Sequence, residues 1–259
     1  MSEKSEQREY DVVVWGASGF TGRLVVEYLQ ENYGTESGLR WAVAARNPDK
    51  MAAVLAELGI SADKPAVLIA DSNDAESLDR LAASTRVVLT TVGPYAKYGS
   101  ELVRACAEHG THYCDLAGEA QWIRAMIDQH QPLAERTGAR IVNCCGFDSI
   151  PSDLGVQFLQ EEAQARSGAP CDEISLVVRA MKGGASGGTI ASMLTALEQA
   201  SEDRNIRRIL ADPYSLNPAD RRSGNDRRDQ TSVQFDHLAE IWTAPFVMAA
   251  INTKIVRRS

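Results

Sequence analysis

The sequence predicts an α/β fold: a doubly wound parallel sheet, followed by part of a second α+β domain. Three observations carry this. Short β-branched runs alternate with helical patterns over residues 1–150. The first run, Tyr10–Trp15, is almost continuously apolar, as a strand buried on both faces requires. Near Ser149 the alternation gives way to longer helical stretches and an arginine-rich polar segment.

The elements follow in order. After Tyr10–Trp15 the period becomes helical from Phe20, with Phe20, Leu24, Val25, Tyr28 and Leu29 assigned to one inward face. Leu39–Ala45 reads as a second strand, and Pro48 opens a helix that stops before Gly59. Val67–Ala70 is a third strand, Asp74–Ala83 a helix, and Val87–Val92 a fourth strand halted by Gly93-Pro94. Ser100–His109 is a helix that Gly110 terminates. Tyr113–Leu116, Ala120–Thr137 and Arg140–Cys144 complete the series as strand, helix and strand. Beyond Ser149, a helix runs to about Ala165, Glu173–Met181 reads as a strand and Thr189–Ala200 as a helix. Residues 201–232, with the pairs Arg207-Arg208, Arg221-Arg222 and Arg227-Arg228, show no periodicity and are assigned to a mobile loop. The domain boundaries expected are a disordered tail over 1–9, a nucleotide-binding domain over 10–148 and a partial substrate domain over 149–259.

Composition narrows the functional classes. The chain has 259 residues, 27 basic and 35 acidic, for a net charge of −8. An acidic balance argues against nucleic acid as a partner. The charge is uneven, however: residues 201–259 are slightly basic and the rest strongly acidic. The polar start of the chain does not read as a signal peptide, and no apolar run is long enough to span a membrane. Five cysteines, Cys106, Cys114, Cys144, Cys145 and Cys171, form no CxxC pair, which argues for no metal site and for a cytoplasmic protein. Cys144 and Cys145 are either reactive thiols or small apolar filler at a strand end.

The strongest motif is Gly16-Ala-Ser-Gly19-Phe-Thr-Gly22, between the first strand and the first helix. In that context Gly16 permits the tight turn, Gly19 admits a pyrophosphate to the backbone, and Gly22 lets helix and sheet approach. The helix amides and dipole then attract the anion, with Ser18 and Thr21 adding hydroxyl donors. This is the signature of a Rossmann-type dinucleotide site. Arg46 stands where an NAD-specific domain would carry a carboxylate, and from the strand end at Ala44-Ala45-Arg46 no acidic residue comes before Asp49. A guanidinium there suits a 2′-phosphate and favours NADP(H), unless Arg46 is only a surface cation. Asp71 is placed either to meet the adenine amino group or to cap the next helix.

Hydride transfer leaves an anion that needs a proton, so acids near the strand ends are the catalytic candidates. Tyr95 and Tyr98 fit by position, as proton donors or as rings packed beside the nicotinamide. His112 reads as structural. Asp115 to Glu119, Cys144 to Ser149 and Pro151 to Asp153 fall at the same ends of the sheet, Asp148 and Asp153 with capping roles sufficient to explain them. The loop Gly183-Gly-Ala-Ser-Gly187-Gly188-Thr189 either receives an anionic substrate group or simply connects two regions.

Four stretches together, GASGFTGRLVVEYL, AARNPDK, TTVGPYAKYGSELVRACAEHGTHYCDLAGE and IVNCCGFDSIPSDLG, resemble the saccharopine dehydrogenase-like oxidoreductases, and within them the trans-acting enoyl reductase subgroup. The resemblance implies that Gly16, Ser18, Gly19, Phe20, Thr21, Gly22, Arg46, Val92, Gly93 and Pro94 lie along a bound NADP(H). It also implies reduction of an activated C=C bond in lipid or polyketide metabolism, on a small-molecule or carrier-bound acyl substrate. Imine or carbonyl reduction on an amino-acid-like substrate is the alternative, and a non-catalytic NADP-binding sensor or scaffold a third. A homodimer and peripheral membrane contact through Ile241–Ile251 are compatible with the sequence. Family members continue past the position of Ser259, so the resemblance implies that this chain ends within its second domain.

Overall fold

A computed structural model of the chain describes residues 8–34, 38–61, 65–184, 187–224, 226, 229–237 and 239–259. By its packing the chain divides into two compact units, Met1–Ala117 with Ala125–Asn143, and Gly118–Arg124 with Cys144–Ser259.

Unit 1 contains the six-stranded sheet. Its strands are β1 (Tyr10–Trp15), β2 (Trp41–Ala45), β3 (Ala66–Ile69), β4 (Thr85–Thr90), β5 (His112–Cys114) and β6 (Ile141–Val142), in the order β3-β2-β1-β4-β5-β6. Every pairing is parallel. The order reverses direction between β1 and β4, which creates the crevice where such sheets bind ligands. The helices are α1 (Phe20–Tyr33), α2 (Pro48–Glu57), α3 (Ala75–Ser84), the short α4 (Tyr95–Tyr98) and α5 (Ser100–His109). α6 (Ala120–Thr137) starts in unit 2 and continues into unit 1.

Local chemistry sets the helix ends. The Asn47 side chain accepts from the Lys50 amide at 2.9 Å, with Pro48 in the first turn, and Asp74 accepts from Ser77 N at 3.3 Å. Gly110 closes α5 in the left-handed region, φ 67°. Val14, Val26, Val43, Met51 and Leu55 lie in one core cluster between β1, β2, α1 and α2. All five β2 residues are buried, as a central strand covered on both faces demands.

The inward face of α1 differs from the sequence expectation. Gly22, Val26 and Leu29 are buried, whereas Phe20, Leu24 and Tyr28 are exposed. The rotational phase is set at Gly22, where an added Cβ would lie 2.2 Å from the Gly16 carbonyl oxygen. Only a hydrogen fits there, so this line of the helix faces the turn, and the larger apolar side chains are rotated outward.

Unit 2 contains α7 (Ile150–Ser167), α8 (Gly187–Glu202), α9 (Arg204–Ala211), a 3₁₀ turn at Ala219–Arg221, the antiparallel pair β7 (Gln234–Asp236) and β8 (Ile241–Thr243), and α10 (Ala249–Arg258). Two expectations fail here. Glu173–Met181 is not a strand, because it finds no ladder partner among the described residues. Within 201–232, α9 forms from Ile206, Ile209 and Leu210 at i, i+3, i+4, capped by Asp203, whose side chain accepts from Asn205 N at 2.6 Å. Leu216 of the following loop is buried, and the Arg124 guanidinium donates to the carbonyls of Ser215, Leu216 and Asn217 at 3.2–3.4 Å. Residues 1–7 of the expected tail, the Arg227-Arg228 pair, and Ala185 and Ser186 of the second glycine loop lie outside the described residues.

Candidate active site

The parallel topology brings Gly16, Arg46, Asp71 and Val92 to the same end of the sheet, because they follow the C-termini of β1, β2, β3 and β4. Backbone bonds extend the ladder into these loops. Gly16 N donates to Ala44 O at 3.1 Å, Thr91 N to Trp15 O at 3.0 Å, and Ala70 N to Ala45 O at 3.3 Å.

The glycine turn is built for close backbone approach. Gly16 has φ +88°, and a Cβ there would meet Val92 Cγ2 at 2.6 Å and Thr91 Oγ1 at 2.9 Å. Gly19 N donates to Gly16 O at 2.9 Å and closes the turn. Gly19 then serves as N-cap of α1 without any side-chain cap, and the first turn of α1 carries no acidic residue. The first turns of α2, α3 and α5 each carry one, Asp49, Glu76 and Glu101. An α-helix leaves its first amides without intrahelical acceptors, and a carboxylate nearby would answer them. In α1 no acidic side chain in the first turn answers them. Ser18 and Thr21 are half-buried beside this end, and Phe20 is exposed.

Arg46 and Asp71 come together across the ends of β2 and β3, with Arg46 Nε 4.0 Å from Asp71 Oδ2 and the Arg46 side chain 73% exposed. A pair this long and this wet holds little energy, so the guanidinium can turn to a phosphate at small cost. Asp71 does not cap α3, since Asp74 does. Its Oδ1 instead accepts from Asn73 N at 2.9 Å, while Ser77 Oγ meets its amide at 3.0 Å. The chain's own residues thus fit a nicotinamide dinucleotide phosphate: a glycine cradle that a Cβ would fill, helix amides for the pyrophosphate and a cation for the 2′-phosphate.

The two tyrosines have separate surroundings. Tyr95 is 5% exposed, and its hydroxyl donates to Thr90 O at 3.3 Å and accepts from Leu116 N at 3.1 Å. It ties the loop after β4 to the loop after β5. In the same loop Val92 N donates to Thr90 Oγ1 at 3.2 Å, which shapes Val92-Gly93-Pro94. Tyr98 is exposed, at the opposite end of α4.

A polar cluster stands beside Tyr95 in the chain order of the β5 end. Asp115, 1% exposed, accepts from Tyr113 Oη at 2.9 Å, Asn143 Nδ2 at 2.7 Å and Ala117 N at 2.9 Å. Three donors satisfy the oxygens of this buried carboxyl group. Burial pushes the Tyr113 phenol well above its ordinary value, and the neighbouring Asp115 adds to this. The sequence placed Asp115 at the strand end but not this network. The available signal was the i, i+2 spacing of Tyr113 and Asp115, which puts both on one side of extended chain at the end of β5.

His112 accepts from Arg140 N at 3.1 Å through Nδ1, and burial, then Arg140 and Arg86, lower its pKa. It is a structural histidine, as the sequence implied. In unit 2, Glu119 is buried and accepts from Ser192 Oγ at 2.7 Å, and Cys144 is buried with φ +62°, a conformation rare outside glycine. Asp153 lies in the first turn of α7, and the Asp148 carbonyl accepts from Asn252 Nδ2 at 2.8 Å. No helix among the described residues is long and apolar enough to cross a membrane.

Comparison with known proteins agrees with this geometry. Residues 12–142 match the saccharopine dehydrogenase NADP binding domain. A Mycobacterium tuberculosis protein assigned by name to the trans-acting enoyl reductases is 46% identical over 97% of this chain and 61% of its own length. The trans-acting enoyl reductase of Mycobacterium leprae is 41% identical over 98% of the chain and 62% of its own length. The chain therefore spans about three fifths of these relatives. Among solved structures, apo saccharopine dehydrogenase from Saccharomyces cerevisiae is similar at a TM-score of 0.48 and 21% identity, over 61% of this chain and 32% of that one. With the six-stranded order, the glycine cradle and Arg46 in place, the chain belongs to the saccharopine dehydrogenase family through an NADP-binding domain in unit 1.

Proposed function

We propose that this chain carries the NADP(H)-binding machinery of an enoyl reductase, acting on an activated C=C bond of an acyl substrate in lipid or polyketide metabolism. The carrying observation is the 46% identity to a trans-acting enoyl reductase over nearly the whole chain. The cradle at Gly16–Gly22, free of acidic competition, and the exposed Arg46 support the cofactor half of this reading.

Bound NADPH would supply hydride to the β-carbon of the enoyl group. The residues of this chain do the rest. The α1 amides, with Gly16, Ser18, Gly19, Phe20, Thr21 and Gly22, would hold the pyrophosphate, and Arg46 would take the 2′-phosphate with Asp71 near the adenine. Val92, Gly93 and Pro94 would line the cofactor from the loop after β4. Tyr95 has its hydroxyl engaged by backbone on both sides, so it positions these loops. Of the two candidate tyrosines Tyr98 is the exposed one, and we assign it the proton delivered to the α-carbon. A thioester substrate, small or carrier-bound, stabilises the enolate that precedes this protonation.

The test is NADPH oxidation against α,β-unsaturated acyl thioesters, with 2-oxo acid plus amine as the competing substrate class. Turnover of the enoyl thioester, reduced at least ~100-fold by Tyr98→Phe with NADPH affinity unchanged, supports the reading. Turnover of the imine-forming pair alone would assign the site to amino-acid chemistry. Full activity in Tyr98→Phe would remove that residue as the acid.

A further inference from the structure

The ends of β4, β5 and β6 are joined by a polar network that reaches the loop after β4. Asp115 stands at its centre, just past β5, and its amide donates to Val142 O at 3.3 Å, which continues the β5–β6 ladder. Its Oδ2 accepts from Tyr113 Oη at 2.9 Å and from Asn143 Nδ2 at 2.7 Å. Its Oδ1 accepts from Ala117 N at 2.9 Å, which fixes the backbone of 115–117. Between those two residues Leu116 N donates to Tyr95 Oη at 3.1 Å, and Tyr95 Oη donates to Thr90 O at 3.3 Å. Thr90 Oγ1 in turn accepts from Val92 N at 3.2 Å. The links run from Asn143 to Val92, all within unit 1.

Thr90, Tyr95, Tyr113 and Asp115 are all buried, and none of their buried side-chain polar atoms lacks a partner. Hydrogen bonds in the interior replace hydrogen bonds to water, so such a network adds little net stability over apolar packing of the same shape. Its physical effect is to admit one arrangement, because a shift of any member strands a buried polar group. That constraint lands on the loop after β4. Arg46 and Asp71, beyond β2 and β3, lie to one side of β1 in the sheet, and Val92, Gly93 and Pro94 lie to the other. A dinucleotide laid across this reversal of strand order would put its adenosine half on the first side and its nicotinamide half on the second.

We propose that Asp115 is a positioning residue for the nicotinamide half of NADP(H). It holds Leu116 N toward Tyr95, and Tyr95 and Thr90 hold Val92-Gly93-Pro94 in the conformation that receives the cofactor. Buried as it is, Asp115 acts through these links and not by contact with the cofactor. The inference rests on the reading that Val92, Gly93 and Pro94 line that half of the cofactor, and it does not depend on which bond the enzyme reduces. Two properties of the carboxyl can be separated by experiment. Asp115→Asn combined with Asn143→Asp exchanges donor and acceptor across the 2.7 Å contact, keeps an acceptor for Ala117 N and lets the Tyr113 hydroxyl accept. The exchange preserves the hydrogen-bond geometry and removes the carboxyl from position 115.

The test compares two ligands on the full chain: NADPH, and 2′,5′-ADP, which carries the adenosine half with its 2′-phosphate. In the unaltered protein NADPH, and not 2′,5′-ADP, should shift the Val92 methyl resonances. Asp115→Ala should weaken NADPH at least ~10-fold in fluorescence titrations, leave 2′,5′-ADP within ~2-fold by calorimetry, and abolish that methyl shift. Tyr95→Phe should do the same, and the two substitutions together should lose no more than the larger single loss, because the links act in series. The exchanged pair should regain NADPH affinity to within ~3-fold of the unaltered protein. If Asp115→Ala does not fold, Tyr95→Phe and the exchanged pair carry the comparison. Equal weakening of both ligands would make Asp115 a residue of the fold alone and overturn the proposal. So would unchanged NADPH affinity in Asp115→Ala, additive losses in the double variant, or an exchanged pair that binds NADPH as weakly as Asp115→Ala. Val92 resonances indifferent to NADPH in the unaltered protein would overturn it through its premise, since the loop would then not line the cofactor.

Discussion

Replacing Gly22 by alanine is the sharpest test of how the cofactor cradle is built. The new Cβ would sit 2.2 Å from Gly16 O and 2.8 Å from Ala17 Cα, and all the near atoms are backbone. No rotamer relieves such a contact. Restoring an ordinary separation moves the start of α1 by about 1 Å away from the glycine turn, which loosens Val26 and Leu29 against the core. Overpacking of this kind costs about 1–3 kcal/mol, a fall in Tm of roughly 4–10 °C for a domain of this size. The α1 amides would also leave their position for the pyrophosphate, so NADPH affinity should fall at least tenfold. Gly19→Ala is the control. Its Cβ meets only Gly16 O, at 3.3 Å, so stability should hold within about 0.5 kcal/mol while affinity falls, because the methyl occupies the approach of the phosphates. Thermal melts and NADPH fluorescence titrations of both variants separate the two roles. An unchanged Tm for Gly22→Ala would refute the close-approach reasoning.

Further outcomes are expected. Arg46→Ala should weaken NADPH by about 10–100-fold and leave NADH affinity unchanged in fluorescence titrations; an equal loss for both would deny the 2′-phosphate role. Arg8 donates to Ala82 O and Ala83 O, at the end of α3, each at 2.7 Å, and to His109 O, at the end of α5. Arg8→Ala should therefore cost about 1–3 kcal/mol in urea unfolding, with β1 intact. The lowered pKa of His112 means that folding favours its neutral form, so its contribution to stability is complete above pH 6.5 and is lost as pH falls through the folded value. Tm should therefore drop on acidification from neutral to pH ~5, and His112→Asn, which retains an acceptor for Arg140 N, should flatten that slope.

Local signals made much of unit 1 legible. Ser100–His109 and Ala120–Thr137 have the bounds expected from periodicity and flanking glycines, because those helices are terminated by short-range chemistry such as the Gly110 cap. The glycine turn was equally readable, since Gly16, Gly19 and Gly22 shape backbone that sequence names directly. The α1 face was not readable: hydrophobic spacing favoured Phe20, Leu24 and Tyr28, but one steric contact at Gly22 outweighs it. The failure at Glu173–Met181 has a related cause. Alternation records competence to be a strand, and forming one needs a partner edge that lies elsewhere in the chain or outside it. α9 was obscured because arginine pairs mask a three-residue apolar stripe.

For the candidate site the division is similar. Arg46 and Asp71, 25 positions apart, were each identified alone, and only the parallel pairing of β2 with β3 makes them neighbours. Tyr95 and Tyr98 looked equivalent as a spaced pair; the packing buries one hydroxyl between Thr90 O and Leu116 N and leaves the other exposed. By itself, then, the sequence determined the βαβ order, the glycine turn and the NADP-binding domain, because each rests on residue type and short spacing. The tertiary structure decided the phase of α1, the different exposure of the two tyrosines and the Asp115 network, because each depends on contacts between segments distant in the chain.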